Sequence, residues 1–177
     1  TPYGGILKDR FKGKDAKLTD DAISGGTVTG TMTQGISRIA KAYDKNTDQN
    51  IIVLWGGTND LYYGGNAEKT YEGIKNLTQK YKEQGWKVIV ATAIQRGDAH
   101  EATEDGERVK LNNLIRQSTG LWDKTVDLGA LPEFLDTNNA VQNNTSIYMP
   151  DKTHLTAKGS GLIADQIEKA INDLAAA

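Results

Sequence analysis

Two stretches of the chain, Ile51-Ile52-Val53-Leu54-Trp55 and Val88-Ile89-Val90-Ala91-Thr92-Ala93-Ile94, are short, largely β-branched and almost unbroken in their apolar character. Such runs predict strands buried on both faces, as in a parallel sheet. Between them Tyr71, Ile74, Leu77 and Tyr81 recur at three- and four-residue steps, which predicts one face of an amphipathic helix ending near Gly85. Val109, Leu111, Leu114 and Ile115 predict a further helix, Thr125 to Leu128 a short strand, and Leu162, Ile163, Ile167, Ile171 and Leu174 a last helix. Upstream, Ile6, Leu7 and Phe11 fit a first helix, Ala16 to Ile23 a strand, and Met32, Ile36, Ile39, Ala40 and Tyr43 another helix. Alternation of this kind points to a three-layer α/β domain.

At 177 residues the chain suits one domain spanning 1–177, and no repeat or linker divides it. It contains no cysteine, which excludes a disulfide scaffold, a thiolate metal site and a cysteine nucleophile. A net charge of −2 supplies no basic field for nucleic acid or anionic lipid, so neither is an expected partner. The apolar runs fall far short of the ~20 residues a membrane helix needs, so a soluble protein is expected, extracellular or cytoplasmic.

Several chemical patterns fail on inspection. Gly25 to Gly30 has the glycine spacing of a phosphate loop, but Thr31 and Met32 stand where Lys and Ser/Thr are required. Asp44, Asn46 and Asp48 imitate a calcium loop, yet Gln49 replaces its turn glycine and Trp55 its closing Glu. His100 and His154 are the only histidines, 54 positions apart, so no two-histidine metal motif on a helix can be built, and His100 reads as a loop residue.

Three polar blocks remain, placed at strand ends or just before a helix, where open α/β sheets keep their ligand sites. Gly56-Gly57-Thr58-Asn59-Asp60 follows the run ending at Trp55. Alone it is equally turn chemistry, with Asp60 as a helix cap. Ser24-Gly25-Gly26-Thr27 turns backbone N–H groups outward before a helix, a ready oxyanion site or a plain strand-to-helix turn. Asp151-Lys152-Thr153-His154 spaces a carboxylate to reach the histidine Nδ1, although a cap and a surface histidine would read the same way.

In this order and spacing the three blocks resemble those of the SGNH hydrolases, the GDSL esterase/lipase superfamily. Ser24-Gly25-Gly26-Thr27 is similar to its second block, Gly57-Thr58-Asn59-Asp60 reproduces its third, Gly-x-Asn-Asp, and Asp151-Lys152-Thr153-His154 its fifth, Asp-x-x-His. The resemblance implies a flavodoxin-like three-layer fold with a short parallel sheet, and ester hydrolysis by a serine without metal or organic cofactor. It further implies that the Gly25 N–H and the Asn59 amide form the oxyanion hole, with His154 and Asp151 as two triad members.

The first block, Gly-Asp-Ser at the end of the first strand, does not occur in residues 1–177. Its serine is the family's nucleophile. Family architecture places that strand between those expected at Ala16–Ile23 and Ile51–Trp55, so some other backbone should fill the slot and the natural protein is expected to continue before Thr1. Ser24 is the fallback nucleophile, because Ala22-Ile23-Ser24-Gly25-Gly26 approaches the Gly-x-Ser-x-Gly elbow of another hydrolase fold. Ser37, Ser118 and Ser160 fall inside predicted helices.

The loops 61–66, 95–106 and 136–150 are expected to shape the pocket, with Tyr62, Arg96 and Tyr148 toward substrate. Their polar and aromatic character suits O-acetyl groups of carbohydrate better than a long acyl chain. The alternative is a catalytically inactive carbohydrate-binding or structural module of the same fold.

Overall fold

A computed structural model describes residues 3–97 and 102–177, with the backbone alone for 102–104. His100 lies outside the described residues. Among the described residues the order of regular elements is α1 (Tyr3–Phe11), α2 (Ile36–Ala42), β1 (Ile51–Leu54), α3 (Thr58–Tyr62), α4 (Ala67–Glu83), β2 (Lys87–Ala91), α5 (Ala102–Gln117), β3 (Lys124–Val126) and α6 (Ala157–Ala175), with short 3-10 turns between them. The strands form a parallel sheet in the order β1-β2-β3, with Val53 opposite Ile89 and Val90 opposite Thr125.

Alternation along each strand sends successive side chains to opposite faces. Ile89 and Ala91 of β2 therefore pack with Ile51, Val53 and Val126 against α1 and α6, through Leu7, Phe11, Ile163 and Ile167. Val88 and Val90 pack with Leu54 against α4 and α5, through Ile74, Leu77, Leu111 and Ile115. The result is a three-layer α/β fold with a short parallel sheet. Asn66 caps α4 by accepting from Lys69 N–H, and Thr156 caps α6 by accepting from Gly159 N–H. Helix α4 stops at Glu83, and Gly85 at φ 100° takes the left-handed conformation that turns the chain into β2. No helix among the described residues is long and apolar enough to cross a membrane.

Three elements differ from the sequence pattern. The strand expected at Ala16–Ile23 is irregular and largely exposed. Its turns close on themselves, with Ala22 N–H donating to Asp20 Oδ1 and Gly26 N–H to the Ile23 carbonyl. A strand needs a neighbour to pair with, and among the described residues none lies beside this segment. Among the described residues β1 is an edge strand of the sheet, with Ile51, Ile52 and Val53 only half-buried. The second strand ends at Ala91 rather than Ile94, because the buried side chain of Asn112 takes over its backbone bonding. Asn112 Oδ1 accepts from Ala93 N–H and its Nδ2 donates to the Ala93 carbonyl, both at 2.8 Å. The third strand is shorter than Thr125–Leu128, since Leu128 already belongs to a 3-10 turn.

Candidate active site

Beyond β1 the chain turns at Gly57, whose φ of 110° suits glycine. A Cβ there would stand 3.0 Å from side chains of Leu111 and Thr70. The turn opens α3, which carries Asn59 and Asp60 toward the 24–29 segment. Asp60, only 5% exposed, does not cap a helix. Its carboxylate accepts from Val28 N–H at 2.9 Å, Thr29 N–H at 3.1 Å and Thr29 Oγ1 at 2.6 Å. A buried carboxylate requires such partners, and these pin the Gly-rich block to α3.

Asn59 makes the second tie. Its Nδ2 donates to the Gly26 carbonyl at 3.1 Å, and its Oδ1 accepts from Arg96 Nη1 at 3.0 Å. Gly25, at φ 68°, forms the turn beside it, and Gly26 N–H closes that turn on the Ile23 carbonyl. Thus Gly25 and Asn59 belong to one small region of the surface. The Arg96 guanidinium lies over the Tyr62 ring, 4.4 Å from its centre, and Tyr62 meets Tyr63 edge to face. Tyr63 is 68% exposed, and its hydroxyl lies 3.8 Å from where a Gly25 Cβ would project. Ser24 is exposed at the start of the same turn.

On the turn before α6, Asp151 Oδ2 lies 2.6 Å from His154 Nδ1, while Oδ1 accepts from Thr153 N–H at 3.0 Å and His154 N–H at 2.9 Å. Those contacts, the imidazole first and the two backbone N–H groups after it, hold the Asp151 carboxyl down to about 2. The histidine side chain is 81% exposed. An imidazole held at Nδ1 by a carboxylate has a fixed tautomer and is left with Nε2 for proton transfer. Lys152 between them adopts φ 59°, and its carbonyl accepts from Gly97 N–H at 2.7 Å.

Gln95, Arg96 and Gly97 consequently join the two halves. Gln95 offers its carbonyl to the Tyr148 hydroxyl at 2.9 Å, Arg96 reaches Asn59, and Gly97 bonds the Asp151–His154 turn. Glycine is required at 97, because a Cβ would stand 2.3 Å from that of Lys152. Tyr148 is 1% exposed, packs edge to face on Phe134, and has its phenol pushed well up by burial. It is a core residue that fixes the 95–97 segment, in correction of the pocket position expected from the sequence. The clamp from Asp60 and the Arg96–Asn59 bond escaped the sequence reading, because both join residues from separate blocks of the chain.

Comparison with known proteins decides the family. The GDSL-like lipase/acylhydrolase family model matches residues 1–162. The chain belongs to that family. Among curated proteins the sequence finds no match. Among solved structures this GDSL-like chain is similar to the acetyl xylan esterase AlAXEase, at 22% identity and a TM-score of 0.72, covering 96% of this chain and 90% of that one. It is also similar to a lipolytic G-D-S-L family protein from Veillonella parvula, at 18% identity and a TM-score of 0.73, covering 95% and 86%. A carbohydrate esterase family 3 protein from Talaromyces cellulolyticus follows at 17% identity and a TM-score of 0.63, covering 98% and 91%. At such identities the likeness speaks for the fold, and the family match for hydrolase chemistry.

Proposed function

We propose that the protein is a serine esterase that removes O-acetyl groups from carbohydrate. The observation that carries this reading is the junction at Gln95–Gly97, which ties the carboxylate-held imidazole of His154 to the Asn59 amide. A base and an oxyanion donor held in one frame are what acyl transfer needs. In the first step a serine Oγ bonds to the ester carbonyl carbon as His154 Nε2 takes its proton and Asp151 steadies the imidazolium. The tetrahedral oxyanion accepts hydrogen bonds from Gly25 N–H and Asn59 Nδ2. Collapse expels the alcohol, which leaves with the proton from His154. Water then cleaves the acyl-enzyme by the same route, releasing the acid and restoring the serine.

Among the described residues β1, the half-buried strand that leads into the Asn59 turn, pairs on one side only, and this reading puts the nucleophilic serine on backbone paired with its other side; Ser24 is the alternative within residues 1–177. The exposed Tyr63 ring beside Gly25 favours a sugar alcohol, and an acetyl group is in keeping with the acetyl xylan esterase and carbohydrate esterase named among the similar structures. The test is an acyl-chain series of 4-nitrophenyl esters beside acetate release from acetylated xylan. Extra methylenes that find no room cost ~1–3 kcal/mol, so kcat/KM is expected to fall at least about tenfold from acetate to octanoate, with acetate released from the polymer. A rate that rises with chain length replaces the carbohydrate reading with a lipid one.

A further inference from the structure

The geometry points to Arg96 as a positioning residue for Asn59, one that sets the orientation and donor strength of the oxyanion amide rather than binding substrate itself. The inference rests on the proposed esterase reading for its consequence in catalysis, but on the structure alone for the contact.

Asn59 and Tyr62 stand three residues apart on α3, so their side chains rise from one face of the helix. Arg96 engages both, directing Nη1 to Asn59 Oδ1 at 3.0 Å and laying its guanidinium over the Tyr62 ring at 4.4 Å. A planar cation held by stacking and by a directed N–H is a task for arginine, since an ammonium has neither the plane nor the fork. The Asn59 amide is thereby gripped at both ends. Its oxygen faces Arg96, one Nδ2 proton goes to the Gly26 carbonyl, and the other Nδ2 proton remains for a ligand.

Two effects follow. The grip fixes which end of the amide points at the site, a choice that an asparagine in water makes freely. The cation also draws density from Oδ1 and so strengthens the Nδ2–H as a donor, because hydrogen bonds in series polarise one another. Both matter most when negative charge develops on a substrate oxygen, so removal of Arg96 acts on kcat and leaves KM largely alone. The sequence expectation that Arg96 lines the substrate pocket makes the opposite prediction, a change in KM.

The experiment compares Arg96→Ala, Arg96→Lys and Asn59→Ala in the natural full-length protein, by 4-nitrophenyl acetate kinetics and by the 1H–15N resonances of the Asn59 side-chain amide, which Asn59→Ala identifies. Arg96→Ala is expected to shift the Asn59 amide pair and lower kcat by ~10- to 100-fold, less than loss of the donor itself, with KM within about threefold. Arg96→Lys should recover little of the rate, and millimolar guanidinium should restore part of the kcat of Arg96→Ala but none of Asn59→Ala. An unmoved amide pair overturns the inference, as does a rise in KM at constant kcat. Should the parent hydrolyse no ester, the esterase reading falls, and the amide resonances still decide whether Arg96 holds Asn59.

Discussion

His154→Ala is expected to lower kcat for 4-nitrophenyl acetate by about 10⁴-fold or more and to leave the melting temperature and the circular dichroism unchanged. The size of the loss follows from the role: without a base the serine hydroxyl is a poor nucleophile, and removing one member of a triad cripples the others because they act as a unit. Stability is spared because the His154 side chain is 81% exposed and its ring is bonded to Asp151, itself 51% exposed. Its backbone, which stays in the variant, makes the contacts that hold the turn, donating to Asp151 and accepting from Met149 N–H. Steady-state kinetics and thermal melts on the same preparation separate the two outcomes. A fall in rate matched by a fall in melting temperature would assign the residue to the fold instead of the chemistry.

Asn59→Ala is expected to lower kcat by ~10²- to 10³-fold, the loss seen when one oxyanion-hole donor is removed, with little change in KM. This change is less clean than the first. The Asn59 side chain also bonds the Gly26 carbonyl and Arg96, so alanine removes two hydrogen bonds that join α3 to its neighbours. Each contributes roughly 1 kcal/mol or somewhat more where a charged donor is involved. Asp60 continues to hold Val28 and Thr29, which keeps the Gly-rich block in place. The stability loss should therefore be about 2 kcal/mol, measured as a shift in the urea midpoint at constant slope. An equal rise in KM with kcat preserved would reassign Asn59 to substrate recognition.

The strands of the sheet and the helices α4 and α6 were legible because burial imposes its period on neighbouring residues of one segment. Ile51 to Leu54 and Val88 to Ala91 are uniformly apolar since both faces of the sheet are covered. Ala16 to Ile23 misled for the complementary reason. Strand formation is a property of a pair, and a local pattern carries no record of whether a partner stands beside it. The strand pattern running on to Ile94 fails similarly, since Asn112 on the following helix α5 supplies the bonds that a neighbouring strand would have made.

The site divides along the same line. Asp151 and His154 are three residues apart, so their contact is written in the spacing itself. Gly57-Thr58-Asn59-Asp60 is recognisable as a block, yet the side-chain partners of Asp60 are Val28 and Thr29 and those of Asn59 are Gly26 and Arg96, all outside it. Tyr148 was assigned to the pocket on its aromatic character, whereas its hydroxyl is committed to the Gln95 carbonyl inside the core. Residue type gives the chemistry available, and the fold decides where it is used.

The nucleophile is the centre of the assignment, and a fluorophosphonate that reacts only with activated serines tests it directly. The natural full-length protein and its His154→Ala variant are treated with the reagent, and intact mass followed by peptide mapping locates the adduct. One adduct per chain is expected, on the serine of a Gly-Asp-Ser segment paired with β1, and absent from His154→Ala over the same time. An adduct on Ser24 contradicts the placement of the nucleophile, and no adduct at all contradicts the esterase and leaves the carbohydrate-binding module in its place.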